Sequence, residues 1–314
     1  NTGAQFYVAK NPEYGAVFTY HLKDMPKTSK SKRIQSERKL NSDKKDVPFP
    51  GYDAISKEMN EKPASIILTI KDSEGNHIRN VKKNASNGSG RIAWNLRHKS
   101  YFPVRAGSSG PRWGYFNPSG PYVTPGEYHA EFYLENNGSV EKLDGPISFN
   151  VKPLRKGTLE GASYDDYNSF RIRVSNLYIE MSKYQDEFNM MKSKIELLDK
   201  AALQLETFSP EIMKKISDFK TKYNAFDSET DGNPAKAEIG EWDKPSISMR
   251  TQIAMQGLST SYGPTDLNKS NLDIAEKLFD KLALDVKMFK SELESLENEV
   301  KELNPPHLSG SGIN

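Results

Sequence analysis

The sequence predicts two domains, an antiparallel immunoglobulin-like β-sandwich over residues 1–155 and an antiparallel α-helical bundle over residues 156–314. Between residues 16 and 151, short β-forming segments are separated by glycine-containing turns, which is typical of a sandwich. From Phe170 to Leu205, apolar residues recur in alternating steps of four and three, as on one face of a helix. The same spacing returns from Ala275 to Leu303, so two long helices can cover each other's apolar faces.

Composition limits the class of protein. The chain has 314 residues, of which 35% are hydrophobic and 27% charged, and a formal net charge of +2. This length fits two domains, and the small net charge gives no reason to expect a nucleic-acid binder. Because the chain has no cysteine, it can form no disulfide, thiolate nucleophile or cysteine-ligated metal site. The sequence has no run of about 18 apolar residues, the length that spans a membrane.

The β domain begins with one strand and a basic excursion. Residues 16–22 are rich in β-forming side chains and follow a turn cluster, which predicts a strand. Residues 23–46 contain nine Lys or Arg against four Asp or Glu, and nothing there can form a core. We therefore expect a solvated, partly helical excursion over residues 23–63. The alternative is a patch for an acidic partner or an anionic surface.

Further strands follow, separated by turns. Gly75 lies where a tight turn needs a positive φ, and residues 136–138 form another turn. The predicted strands are Ser65–Ile70, His77–Val81, Arg91–Leu96, Glu127–Leu134 and Val140–Val151. Without cysteines, the sandwich depends on its apolar core, which we expect around Leu68, Trp94 and Phe132.

A loop rich in aromatic, glycine and proline residues interrupts the β domain. Its candidate partner-binding residues are Tyr101, Phe102, Trp113, Tyr115, Phe116 and Tyr122. Exposed aromatic rings held in a rigid loop can anchor a protein partner or stack on sugar rings. The alternative is that these rings cover one end of the sandwich or dock on the neighbouring domain.

The second half of the chain predicts helices. A helix over residues 170–205 is about 50 Å long at 1.5 Å per residue, too long to leave an apolar stripe in water. We expect it to lie antiparallel to the helix over residues 275–303, since about 70 residues separate the two. Between them, the sequence predicts a short helix over 212–223, a loop over 227–244 and another helix over 246–258.

The search for catalytic motifs finds none. The five histidines are scattered without metal-binding spacing, and the sequence has no nucleophile elbow, phosphate-binding loop or dinucleotide fingerprint. We therefore predict no catalytic residue, no cofactor site and no metal site, and we expect that the chain is not an enzyme.

Six short segments carry a family pattern in order: Asn11–Lys23, Trp94–Arg97, Gly120–Tyr128, Pro245–Ile247, Gly263–Thr265 and Asp273–Ala275. They resemble the region that follows the β-propeller in bacterial proteins with BNR or sortilin-type repeats, often labelled glycosyl hydrolases. Asn95 stands where that family usually has Asp. Residues 70–79 also resemble the FlgD-type immunoglobulin-like module.

The resemblance implies a function without implying a catalytic site. A glycosidase or ligand site of such proteins is expected on the propeller, whose repeats do not occur in these 314 residues. We therefore expect a non-catalytic protein-interaction or structural module, the tail of an exported propeller protein. Its expected partner is a β-propeller domain or a cell-surface or secretion complex, at the cell surface, in the periplasm or outside the cell. The alternative is an accessory or carbohydrate-binding part of a glycoside hydrolase.

Overall fold

The computed structural model describes residues 11–104, 120–155, 157–158 and 160–306. In these residues the chain is a mixed α and β protein with seven helices and two antiparallel sheets. It divides into two compact units. The β unit comprises described residues 11–99 and 120–155, and the helical unit comprises residues 100–104, 157–158 and 160–306. Among the described residues, this division differs from the predicted one at residues 100–104, which belong with the helices.

The β unit contains two antiparallel sheets. In the smaller sheet, β1 (Ala16–Leu22) pairs with β4 (Gly88–Trp94). The larger sheet has the order β3 (His77–Asn84), β2 (Ser65–Asp72), β5 (Gly126–Asn136) and β6 (Ser139–Val151). Every predicted strand is present, with ends that differ by at most three residues.

One apolar cluster draws side chains from both sheets. Leu68 of β2 and Trp94 of β4 are fully buried, and Phe132 of β5 is 6% exposed, as the sequence predicts for a core. The indole Nε1 of Trp94 donates to the carbonyl oxygen of Arg97 over 2.9 Å. This bond satisfies the one polar atom of the side chain, so the largest core residue is buried without an unpaired donor.

Two helices lie between β1 and β2. They are α1 (Ser29–Ser42) and α2 (Tyr52–Asn60), and neither has a buried residue. Arg33 of α1 binds both carboxylate oxygens of Glu58 in α2, each over 2.8 Å. The excursion is therefore helical and solvated, and ion pairs rather than a core hold its two helices together.

The helical unit contains five helices in its described residues. They are α3 (Tyr164–Ala202), α4 (Pro210–Asp231), α5 (Pro234–Glu238), α6 (Ile247–Gln256) and α7 (Asp266–Glu302). The apolar stripes predicted on α3 and α7 are largely buried, in two clusters that also take side chains from α4 and α6. No helix in the described part of the chain is both long and apolar enough to cross a membrane.

The two long helices run parallel, so the predicted antiparallel orientation is wrong. Arg173, near the start of α3, binds Glu276, near the start of α7, over 2.6 Å. Lys194, towards the end of α3, binds Glu297, towards the end of α7, over 2.5 Å. Residue numbers therefore rise together along the two helices.

The helices α4 and α6 run in the opposite direction to α3 and α7. Lys215 and Lys222 of α4 bind Glu299 and Glu292 of α7 respectively, which makes α4 antiparallel to α7. The predicted short helix extends to Asp231, and the predicted loop over 227–244 contains the end of α4 and the whole of α5. With 22 and 10 residues, α4 and α6 together span about 48 Å at 1.5 Å per residue. The chain therefore returns along α4 and α6 before α7 begins.

Candidate functional site

A group of polar and aromatic side chains gathers at one end of the β unit. We call it the arginine–tyrosine cluster, and it consists of Tyr14, Arg79, Asn95, Arg97 and Tyr122. These residues come from segments far apart in the chain. Pairing between strands and two short connections bring them together.

The first connection joins the segment before β1 to the end of β4. The register pairs Ala16 with Trp94, so the preceding residues lie beside Asn95. Gly15 has a φ of 113°, and a Cβ built there would lie 2.0 Å from the carbonyl oxygen of Trp94. Only glycine fits this close approach, which explains the glycine between Tyr14 and β1.

The second connection joins the segment after β4 to the segment before β5. Arg97 and Tyr122 form an isolated antiparallel bridge. Two backbone bonds of 2.9 Å flank it, from His98 to the Pro121 carbonyl and from Val123 to the Leu96 carbonyl. A further bond of 3.0 Å, from Lys99 to the Ile78 carbonyl, ties this segment to β3. Arg79 is thereby brought next to the same segment.

The backbone at the centre of the cluster is strained. Leu96 lies between Asn95 and Arg97 and has a φ of 58°, in the left-handed region that bulky residues rarely adopt. Such a conformation costs about 1–3 kcal/mol and persists only where surrounding contacts enforce it. Here the bridge and its flanking bonds supply those contacts.

The guanidinium of Arg97 is held by neutral groups. Its carbon lies 3.6 Å from the centroid of the Tyr122 ring, a cation–π contact. Its Nη1 donates to the Gly120 carbonyl oxygen over 3.1 Å. The side chain is half-buried, so these contacts fix its position at the surface of the unit.

The guanidinium of Arg79 is held in a similar way. Its Nη1 donates to the Oδ1 of Asn95 over 3.2 Å. Burial, and then repulsion from Arg97, lower the pKa of Arg79. The shift starts from a value far above neutral pH, so Arg79 carries its charge under all ordinary conditions.

The two tyrosines give the cluster an aromatic surface. Tyr14 is 61% exposed and Tyr122 is 39% exposed. Burial and the neighbouring Tyr122 raise the pKa of Tyr14, while Arg97 lowers it. Both side chains can contact a partner with their ring faces and hydroxyl groups.

The cluster offers binding groups. Its arginines can donate several hydrogen bonds to an anion, and its tyrosines can pack on a partner. Across the described part of the chain, no group of three or more His, Asp or Glu side chains is placed to hold a metal ion. The predicted absence of catalysis stays a prediction.

The structure describes three of the six predicted partner-binding residues. Tyr122 belongs to the arginine–tyrosine cluster. Tyr101 and Phe102 lie in the helical unit, half-buried, with ring centroids 5.3 Å and 5.0 Å from that of Tyr178 in α3. Their rings meet Tyr178 at angles of 66° and 77°, as in packed aromatic clusters. Trp113, Tyr115 and Phe116 lie outside the described residues.

Sequence reasoning missed the other members of the cluster. The family pattern contains Tyr14, Asn95, Arg97 and Tyr122, but residue type alone gives no reason to group them. Arg79 belongs to the segment compared with the FlgD-type module. The glycine at position 15 is the one signal in the sequence, because a glycine before a strand can mark a close approach to another segment. A strand prediction from sequence does not say which segment that is.

A second surface lies on the excursion. A groove of about 610 Å³ on α1 is lined by Lys27, Lys30, Ile34, Arg38 and their neighbours. Phe49 and Tyr52, further along the same excursion, are 64% and 83% exposed. The alternative of a patch for an acidic partner or an anionic surface on the excursion stays a prediction.

Comparison of the chain with protein-family models, with curated proteins and with solved structures finds no match, so the family resemblance stays an expectation drawn from the sequence.

Proposed function

We propose that the chain is a non-catalytic protein-interaction module, the tail of an exported β-propeller protein that docks it to a cell-surface or secretion assembly. The observation that carries the proposal is the arginine–tyrosine cluster. It combines two half-buried guanidinium groups with two exposed tyrosine rings. Arginine and tyrosine are enriched among the residues that contribute most to the energy of protein interfaces.

The proposed folds fit this role. We propose that the β unit is an immunoglobulin-like sandwich, since two antiparallel sheets contribute to one apolar cluster. We propose that the helical unit is a bundle, since α3, α4, α6 and α7 bury their apolar side chains against one another. Folds of this kind serve many functions, so the argument for docking rests on the cluster.

The gene upstream of Asn1 provides the first test of the proposed context. Propeller repeats and a secretory signal peptide should precede this segment. A gene that encodes neither would remove the propeller and the export from the proposal.

A pull-down from native membranes and culture medium provides the second test. The Tyr122→Ala variant should recover at least fivefold less partner protein than the unchanged chain does. The reason is that the Tyr122 ring contacts Arg97 and adds exposed aromatic surface. Tyr164→Ala is the matched control, since Tyr164 is 53% exposed at the start of α3. Equal retention by both variants would contradict docking through the cluster.

A carbohydrate-binding role is the second candidate. The observation that favours it is the exposure of two neighbouring rings, Tyr14 and Tyr122, because sugar rings stack on exposed aromatic faces. Binding of the chain to a panel of cell-surface polysaccharides, lost in Tyr14→Ala and kept in Tyr164→Ala, would favour this role over docking.

A further inference from the structure

Arg79 and Arg97 of the β unit differ in their partners from Arg33 and Arg173. Arg33 and Arg173 each bind two carboxylates. Arg79 and Arg97 are half-buried, and across the described residues neither forms an ion pair with a carboxylate. Among the described residues, the β unit therefore holds two partly desolvated positive charges to which no carboxylate is bound.

The groups that accept hydrogen bonds from these two arginines are neutral. Arg79 donates to an amide oxygen, that of Asn95, and Arg97 donates to a backbone carbonyl oxygen. The face of Tyr122 attracts the Arg97 charge but does not neutralise it. Removing a charge from water without an opposite charge is costly, so an anion that enters the cluster recovers part of that cost.

We propose that Arg79 and Arg97 form an anion-binding site that receives a carboxylate from an acidic segment of a protein partner. Guanidinium groups match the planar geometry of a carboxylate and can donate two hydrogen bonds to it. The exposed rings of Tyr14 and Tyr122 beside the arginines supply the apolar contact that a peptide chain uses and a free inorganic ion does not. This proposal rests on the proposed docking function, which makes a protein partner the molecule that carries the carboxylate.

Asn95 makes the site testable by a single atom exchange. Its Oδ1 already accepts a hydrogen bond from Arg79, so Asn95→Asp places a carboxylate at the contact without a change of shape. That carboxylate should pair with Arg79 and compete with an external anion. The matched control is Arg91→Gln, since Arg91 is exposed on β4 and the substitution changes the net charge by the same amount.

The experiment measures the binding of a fluorescent hexaglutamate peptide to the full chain by anisotropy at low salt, with hexaglutamine and inorganic sulfate as comparison ligands. We expect Asn95→Asp to weaken peptide binding at least fivefold and to raise the melting temperature. Arg91→Gln should weaken binding less than twofold. Arg79→Gln is the second binding-site variant and should also weaken peptide binding at least fivefold. It keeps the test decisive if Asn95→Asp fails to fold.

Three outcomes would overturn the site: no peptide binding by the unchanged chain, equal losses in Asn95→Asp and Arg91→Gln, or sulfate competing as well as the peptide. The last result would mean a site for small anions.

The pull-down separates this inference from the proposed function. If Tyr122→Ala loses the partner while Asn95→Asp keeps it, docking stands and the anion site fails. If the peptide binds at the site but no variant loses a partner, the anion site stands and docking fails.

Discussion

Arg173 of α3 donates to both carboxylate oxygens of Glu276 in α7, through Nε over 3.3 Å and through Nη2 over 2.6 Å. Both residues are partly exposed, and an exposed ion pair stabilises a fold by at most about 1 kcal/mol. The pair therefore indicates the parallel direction of the helices, and burial of their apolar stripes supplies the energy for it.

Chemical cross-linking should detect the parallel direction. Glu187 and Lys290 are side by side, with their charged atoms 3.6 Å apart, so a short thiol-reactive linker should join cysteines placed at these positions. The control pair is Arg173→Cys with Lys290→Cys, which an antiparallel arrangement would bring closer and the parallel one separates along the helices. The native chain has no cysteine to interfere. Efficient linkage of the control pair alone would contradict the parallel arrangement.

Charged substitutions in the helical core should unfold the helical unit. Leu198 of α3 is 1% exposed and Val286 of α7 is 5% exposed. Replacing either by Asp should lower the free energy of unfolding by about 3–5 kcal/mol, because an unpaired charge is buried. Met190→Asp and Leu284→Asp, on exposed faces of the same helices, should each change it by less than about 0.5 kcal/mol. Urea unfolding followed by circular dichroism measures these differences. Similar midpoints for the buried and exposed variants would refute this core assignment.

The sequence predicted the elements better than their arrangement. The apolar spacing along α3 requires a buried face, whichever helix covers it, so the stripe at Val174 and Leu198 could be predicted. The direction of α7 depends on how far the chain travels between the stripes. That distance depends on α4, whose end near Asp231 is polar and resembles a loop.

The candidate site could be predicted only in part. Tyr122 stood out because exposed aromatics in a loop are unusual. Arg79 and Arg97 are ordinary surface residues by type. Their half-burial without a carboxylate partner among the described residues depends on contacts between β3, the end of β4 and the segment before β5. Such long-range contacts leave no local periodicity in a single sequence.

Acid should weaken the β unit through Glu131. This carboxylate is 7% exposed in β5, and hydrogen bonds from Lys71, then Lys142 and Tyr133, lower its pKa to about 2. The unfolded value is about 4.3, so the ionised form favours folding. The stabilisation is complete above about pH 5 and is lost as the pH falls towards 2.

The Glu131→Gln variant tests this dependence. It should be less stable than the unchanged chain at pH 7, and the difference should shrink as the pH falls from about 5 to about 2. Glu127→Gln, at an exposed position of the same strand, is the control. Urea unfolding at each pH gives the free energies. A Glu131→Gln deficit that stays constant with pH would show that the carboxylate does not act through its ionisation.

Ionisation of Asp227 in α4 should have the opposite effect on stability from ionisation of Glu131. Burial, and then the charge of Asp231, raise the pKa of Asp227, and Lys192 only partly offsets them. Because the folded pKa lies above the unfolded one, the ionised carboxylate opposes folding at neutral pH. Asp227→Asn should therefore raise the melting temperature at pH 7, and the gain should diminish in acid. The control is Asp280→Asn, at an exposed position of α7, which should show no such gain. A lower melting temperature for Asp227→Asn at pH 7 would contradict the assignment.

The aromatic loop should contribute to docking beyond the tyrosines of the cluster. Trp113 and Phe116 lie between Phe102 and Tyr122 in sequence, and large rings at the centre of an interface carry much of its binding energy. Replacing both by Ala should weaken association with the recovered partner at least tenfold, equivalent to about 1.4 kcal/mol. The melting temperature of the β unit should not change.

A matched control for that double substitution exists in the helical unit. Trp242 and Phe208 are 79% and 63% exposed, so replacing both by Ala removes the same ring types from a different part of the chain. The control should bind the partner as the unchanged chain does, because general loss of aromatic surface does not weaken a specific interface. Titration calorimetry with the purified partner measures both variants. If the two double variants bind equally well, the loop is not the docking surface, and docking must rest on Tyr14, Arg97 and Tyr122 alone.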